Sequence, residues 1–216
     1  MAQIFHRSTN TIARVTIFGF VFIVLGLLTL AYLYTKSPYQ TQVEVVREQP
    51  VEFSHEHHVN GLGIDCRYCH TSVETSSFAG LPPTHTCMSC HSQIWDDSPM
   101  LAPVRESLAD AKPLPWTRVN DLPDFVYFHH GIHVQKGVGC VECHGRVDKM
   151  PLAWKGQPLT MEWCLECHNE PEKRLRLPED IFDMSKPPLP VEEGRKLVER
   201  NKIPTDRLSN CSVCHR

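Results

Sequence analysis

The chain has 216 residues, enough for one domain or two small ones, and its 22 Lys and Arg against 25 Asp and Glu leave a formal charge of -3. It carries no basic tract and no RNA- or DNA-binding signature, so a nucleic-acid partner is set aside. Apolar residues make up 41% of the chain, but a large share falls between Val15 and Tyr34. The remainder, rich in Pro, Cys and His, has too few long apolar runs for an ordinary core, and something else must supply the buried apolar mass.

The first element in chain order is residues 15–34, VTIFGFVFIVLGLLTLAYLY, twenty residues without a charge. That length suits a helix crossing the hydrocarbon layer of a bilayer. A cleaved secretory signal is the other reading of such a stretch. The run is long for a signal core, however, and continues as TKSPYQ with no A-x-A-like site. Residues 1–36 are therefore expected to form a retained signal-anchor in contact with lipid, a single pass through a bacterial inner (cytoplasmic) membrane. Arg7 and Arg14 before the span outnumber Lys36 after it, favouring an N-terminus in the cytoplasm and a C-terminal portion on the periplasmic side. Residues 37–52 are expected to be a polar tether.

Ten cysteines raise three possibilities: disulfides, zinc or covalent haem. All ten fall in five CxxCH units: Cys66, Cys69 and His70; Cys87, Cys90 and His91; Cys140, Cys143 and His144; Cys164, Cys167 and His168; Cys211, Cys214 and His215. A disulfide framework has no reason to follow each pair with histidine, and zinc ribbons do not require it. In c-type haem attachment the two thiols form thioethers to the porphyrin and the adjacent histidine ligates the iron. Five covalent c-type haems are the expected cofactors. Because such haem is attached outside the cytoplasm, the same topology follows by a second route.

An internal repeat divides what lies beyond the tether. Phe53, His55 and His58 stand seven residues before Cys66, and Phe128, His130 and His133 stand six before Cys140. Each F-x-H-x-x-H is followed by two haem sites, so residues 53–96 read as a first di-haem module and 128–170 as a second. Residues 97–127 are a Pro-punctuated linker with a short helix near 104–111. Residues 171–216 carry the fifth site and a helix of about three turns after Pro190, with Glu192 and Glu193 at its favourable N-terminal end. Histidines at i and i+3 of a helix project from one face, so both can reach into a haem cluster, each capping a different iron. This resembles the class III multihaem cytochromes c, in which such a segment gives one ligand to its own module's haem and one to a neighbour. The resemblance implies that His55, His58, His130 and His133 are distal ligands and that Phe53 and Phe128 pack on porphyrin.

A fifth iron needs a fifth ligand, drawn from upstream of Cys211. His85, two residues before Cys87, is the first choice. Met161, three before Cys164, is the alternative and would give a raised potential. A surface role fits His57 and His129 better, and His6 lies across the membrane. Trp95, Trp116, Trp154 and Trp163 are expected to cover haem edges, and Arg67 and Arg146 to pair with propionates. The fold class expected is mainly α with extensive loops, packed around five haems, plus one N-terminal transmembrane helix.

Two histidines saturate an iron, leaving it no place for substrate but free to change oxidation state, which suits electron transfer and not catalysis by this chain alone. One N-terminal anchor, the repeat, LPDFVYF and GVGCVECHG, LTMEWCLECH and a terminal fifth site together resemble the pentahaem cytochrome c subunit of alternative complex III across essentially the whole chain. That resemblance implies iron–sulfur and polytopic quinol-binding partner subunits, and a soluble cytochrome c or blue-copper protein as acceptor. A self-contained membrane-anchored multihaem quinol dehydrogenase and the cytochrome subunit of a related respiratory reductase are the alternatives.

Overall fold

The computed structural model describes residues 4–215. By internal contacts the chain divides into two units, Met1–Gln42 and Val43–Arg216. In the first, helix α1 runs over Thr9–Lys36, 28 residues or about 42 Å at 1.5 Å per residue. Its apolar side chains are exposed on every face, and none of its residues is buried. The hydroxyls of Thr16 and Thr29 donate back to the carbonyls of Ile12 and Leu25, so neither needs an outside partner. This helix is long and apolar enough to cross a membrane. A single further turn, α2 (Pro38–Thr41), follows it.

The second unit is helical and loop-rich. Among the described residues it contains no strand, only isolated bridges pairing Val43 with Lys155, Val46 with Trp154 and Val138 with Leu175. The 43–49 segment is held to this unit: Glu44 N donates to Lys155 O, and the Gln49 amide exchanges hydrogen bonds with the Thr117 backbone. The helices are a π-helix at Glu56–Gly61, then α3 (Cys66–Cys69), α4 (Thr84–His91), α5 (Ala102–Ala109), α6 (His130–Gln135), α7 (Cys140–His144), α8 (Met161–Asn169), α9 (Val191–Arg200) and α10 (Cys211–Cys214). Helix α5 begins two residues earlier than the sequence suggests, because Pro103 sits in its first turn, where its missing N–H costs nothing. Helix α9 starts after Pro190 with Glu192 and Glu193 in its first turn, as expected.

Packing explains why so much loop can stay ordered. Ten apolar side chains are buried among the described residues, and they gather in small groups instead of one core. Val51, Leu101 and Val104 hold α5 against Cys87, Met88, Leu114 and Trp116. Val73, Val134 and Ile181 form a second cluster with Ala79 and Phe182. Backbone contacts do the rest. A Cβ on Gly131 in α6 would lie 2.9 Å from the Glu74 carbonyl oxygen, so only glycine lets that helix rest on the 74–77 loop. Gly194 likewise brings α9 onto the Glu172 backbone.

Candidate cofactor-binding site

The five attachment motifs sit on two kinds of helix. In the first, third and fifth, the helix starts at the leading cysteine, in α3, α7 and α10. In the second and fourth, the cysteines occupy the later turns of the longer helices α4 and α8. The alternation matches the two-module repeat, with His85 and Met161 both near the start of the longer helix. Asp65 caps α3 by accepting from Arg67 N at 2.8 Å, and Thr160 caps α8 by accepting from Trp163 N at 3.4 Å. No two of the ten cysteines are joined as a disulfide. Burial pushes the thiols of Cys140 and Cys143 up to about 12.

The histidines are aimed by their Nδ1 atoms. Among the motif histidines, Nδ1–H donates to a backbone carbonyl from His70 (Gly80, 2.7 Å), His91 (Ile94, 3.0 Å), His168 (Leu208, 2.9 Å) and His215 (Phe125, 3.1 Å). His144 Nδ1 lies 3.1 Å from the Asn120 side-chain amide. In the repeat, Nδ1–H donates to carbonyls from His58 (Ser54), His130 (Ser77) and His133 (His129), each at 2.8 Å. A carbonyl on Nδ1 fixes the tautomer and leaves the Nε2 lone pair to a metal. His55 differs: its Nδ1 is buried without a partner.

The rings also pair. His58 faces His91 at a centroid distance of 6.2 Å, His130 faces His144 at 6.3 Å, and His133 faces His168 at 6.3 Å. Imidazoles sharing one metal at bonds of about 2 Å, each nitrogen about an ångström from its ring centre, bring their centroids about 6 Å apart. The residues therefore fit haem iron: two thiols, an aimed proximal ring and a second ring at the right separation. Burial first, then His70 and His58, lowers the His55 pKa to about 4. Burial first, then His130, His70 and His55, lowers His144 to about 4. His58, His130 and His133 are lowered too, with burial the largest cause. All five stay neutral near pH 7, the form that ligates metal.

The repeat is reproduced in three dimensions. Phe53 stands edge-on to His55 (4.9 Å, 89°) and stacks on His58 (4.4 Å, 27°); Phe128 stands edge-on to His130 (4.7 Å, 89°) and stacks on His133 (4.6 Å, 26°). His58, His130 and His133 each face a histidine of their own module's motifs.

The remaining candidates fall in different surroundings. His129 Nδ1 accepts from Ile132 N and caps α6. His57 stacks on Trp95 at 6.1 Å. His85 is exposed in α4, and Met161 is exposed at the first position of α8. His215 has Phe125 as its ring neighbour, at 5.8 Å. Trp116 lies in the Val51 cluster together with Cys87 and Met88 of the second motif.

Arg67 and Arg146 each have a protein partner. Both are clasped by carboxylates two residues away, Asp65 at 2.9 and 2.8 Å and Asp148 at 2.8 and 2.6 Å, because tight turns bring each carboxylate onto the fork of the guanidinium. A different pair escaped sequence reasoning. Glu142, inside the third motif, accepts from Arg176 at 2.8 Å and from Arg174 at 3.2 Å. Arg176 is only 3% exposed. No local pattern joins residues this far apart; the rare signal was an acid between two attachment cysteines.

Comparison with known proteins gives this geometry its context. Residues 126–216 match the family described as cytochrome c7 and related cytochrome c. A relative, the multihaem cytochrome c subunit of menaquinone reductase from Nitratidesulfovibrio vulgaris, is 34% identical over 170 residues, covering 78% of this chain and 68% of the relative. The chain belongs to the multihaem cytochrome c family. Covalent c-type haem is accordingly its cofactor, and electron transfer its class of activity. This multihaem cytochrome is mainly helical, with one N-terminal helix apolar enough to span a bilayer.

Proposed function

We propose that this multihaem cytochrome holds five haems, one at each CxxCH motif, and relays single electrons between a quinone-reacting membrane complex and a periplasmic redox partner. The observation that carries the reading is the set of three facing imidazole pairs, which saturates an iron and excludes substrate. His55 and His70, His58 and His91, His130 and His144, and His133 and His168 serve the first four sites. When bound, haem supplies a one-electron change of oxidation state. The chain's own part is to hold the porphyrins through cysteine, to keep every imidazole of these pairs but His55 in one orientation through its Nδ1 partner, and to leave no open coordination position.

For His215 we favour Met161 over His85. Cys164 lies near enough to Cys214 for the latter to raise its thiol pKa, after burial, and Met161 stands one turn before Cys164 on the same face of α8. A Met161→Ala variant should lose one high-potential component from a redox titration, while His85→Ala keeps it.

Helix α1 anchors the chain in the bacterial inner membrane, N-terminus in the cytoplasm, with the cytochrome domain on the periplasmic side. The likeness of GVGCVECHG and LTMEWCLECH to alternative complex III supports electron flow from quinol, through iron–sulfur and polytopic partner subunits, to a soluble cytochrome c or blue-copper protein. A second reading is favoured by the name of the relative, a menaquinone reductase subunit: flow in the opposite direction, toward quinone. In either case the isolated anchored chain should neither oxidise quinol nor reduce quinone, whereas its complex should do one of them. Turnover by the isolated subunit would sink the relay and leave a self-contained quinol dehydrogenase.

A further inference from the structure

The attachment motifs touch one another in an order that differs from their order in the chain. Tyr68, between the cysteines of the first motif, lies 3.0 Å through its hydroxyl from Ser89 Oγ, between the cysteines of the second. The first motif also meets the third. Arg67 sits 4.5 Å over the Phe182 ring, and the neighbouring Ile181 carbonyl accepts from Cys140 N at 3.2 Å. The two modules are cross-docked on the loops that follow these same motifs: His130 Nδ1 and Gly131 N bond the carbonyls of Ser77 and Ser76, and Glu56 N bonds the Met150 carbonyl. Third and fourth motifs are joined where Arg174, six residues after His168, reaches Glu142. Fourth and fifth are joined by His168 Nδ1 to the Leu208 carbonyl and by Ser209 Oγ to Asn169 at 2.6 Å.

The linker between the modules supplies an independent line. Leu114 and Trp116 pack in the cluster that holds Cys87 and Met88 of the second motif. Asn120 then meets His144 of the third. Finally the Phe125 carbonyl accepts from His215, and Tyr127 N donates to the Cys214 carbonyl at the fifth. The linker thus passes the second, third and fifth motifs in that order, which accounts for a connection longer than compact domains ordinarily use.

We infer that the five attachment motifs form one unbranched row in the order second, first, third, fourth, fifth, whose two ends, Cys87–His91 and Cys211–His215, are where the chain exchanges electrons with its partners. The interface between first and third motifs, closed by Gly131 against Glu74, is then the joint on which continuity depends. The inference rests on the reading that every motif carries a haem. Electron cryomicroscopy of the haem-loaded chain in its native membrane complex tests it through iron positions alone. The nearest-neighbour iron pairs should be second–first, first–third, third–fourth and fourth–fifth, with second and fifth farthest apart. Five irons with the second adjacent to the third, or with the first at an end, would overturn the row and leave the five-haem reading standing. Fewer than five irons would overturn both.

Discussion

The two F-x-H-x-x-H segments reach the same ring geometry on different backbones. Around His55 and His58 the chain forms a π-helix; around His130 and His133 it forms an ordinary α-helix. Yet the Phe–His distances agree to within 0.2 Å and the interplanar angles to within 1°. The first segment also has one more residue before its CxxCH, seven against six. A π turn is how a helix absorbs a single inserted residue. What the repeat conserves is therefore the placement of the rings, and the helix type adjusts to it. The modules differ in restraint as well: Ser77 holds His130 Nδ1, whereas His55 Nδ1 has no partner.

The largest expected effect comes from removing a ring. His130→Ala should convert one haem of the set from low-spin to high-spin and let the reduced protein bind carbon monoxide at that site, read by absorption and resonance Raman spectroscopy. Ser77 supplies its backbone carbonyl to His130, so Ser77→Ala should leave the spectrum unchanged; a shift would mean the carbonyl is not the anchor.

Carboxylates beside the first and third motifs should behave differently. Glu142→Ala strands the buried Arg176 charge and should cost about 3–5 kcal/mol. Asp65→Ala in the first module removes an exposed pair and a helix cap and should cost about 1 kcal/mol. Thermal unfolding of fully haem-loaded protein checks the pair, and equal losses would contradict the contrast.

Acid should act on both modules through His55 and His144. Their folded values near 4 lie below the ordinary 6.5, so the unfolded chain binds the proton first. The stability that these neutral rings represent is whole above about pH 6.5 and drains away as pH falls toward 4. Iron ligation acts in the same direction, since a bound ring cannot take the proton. Unfolding followed from pH 7 to pH 4 should show the loss across that window; a profile flat through it would refute the assignment.

The smallest effect should follow deletion of Asn60, an exposed residue of the π-helix. The segment should revert to α-helix with its spectrum unchanged.

Much of this was legible in the sequence because it is local. CxxCH spacing, F-x-H-x-x-H, the apolar span and the Pro190 helix start are each written within a few residues. The cross-docking of the modules was not, because it runs through backbone carbonyls of Ser76, Ser77 and Met150, which leave no side-chain signature. The Glu142–Arg176 pair was hidden by a separation of 34 positions, and the His129 cap by the neighbouring histidines that draw attention to themselves.

The central claim, five saturated irons held mainly by paired imidazoles, is tested most directly by quantitative electron paramagnetic resonance of the oxidised, haem-loaded chain. The near-parallel rings of His130 with His144 (6°) and His133 with His168 (21°) should give rhombic low-spin signals, and the crossed rings of His58 with His91 (64°) a more anisotropic one. The account predicts five low-spin irons per chain and no high-spin signal. A stoichiometric high-spin iron, marking an open coordination position, would contradict it.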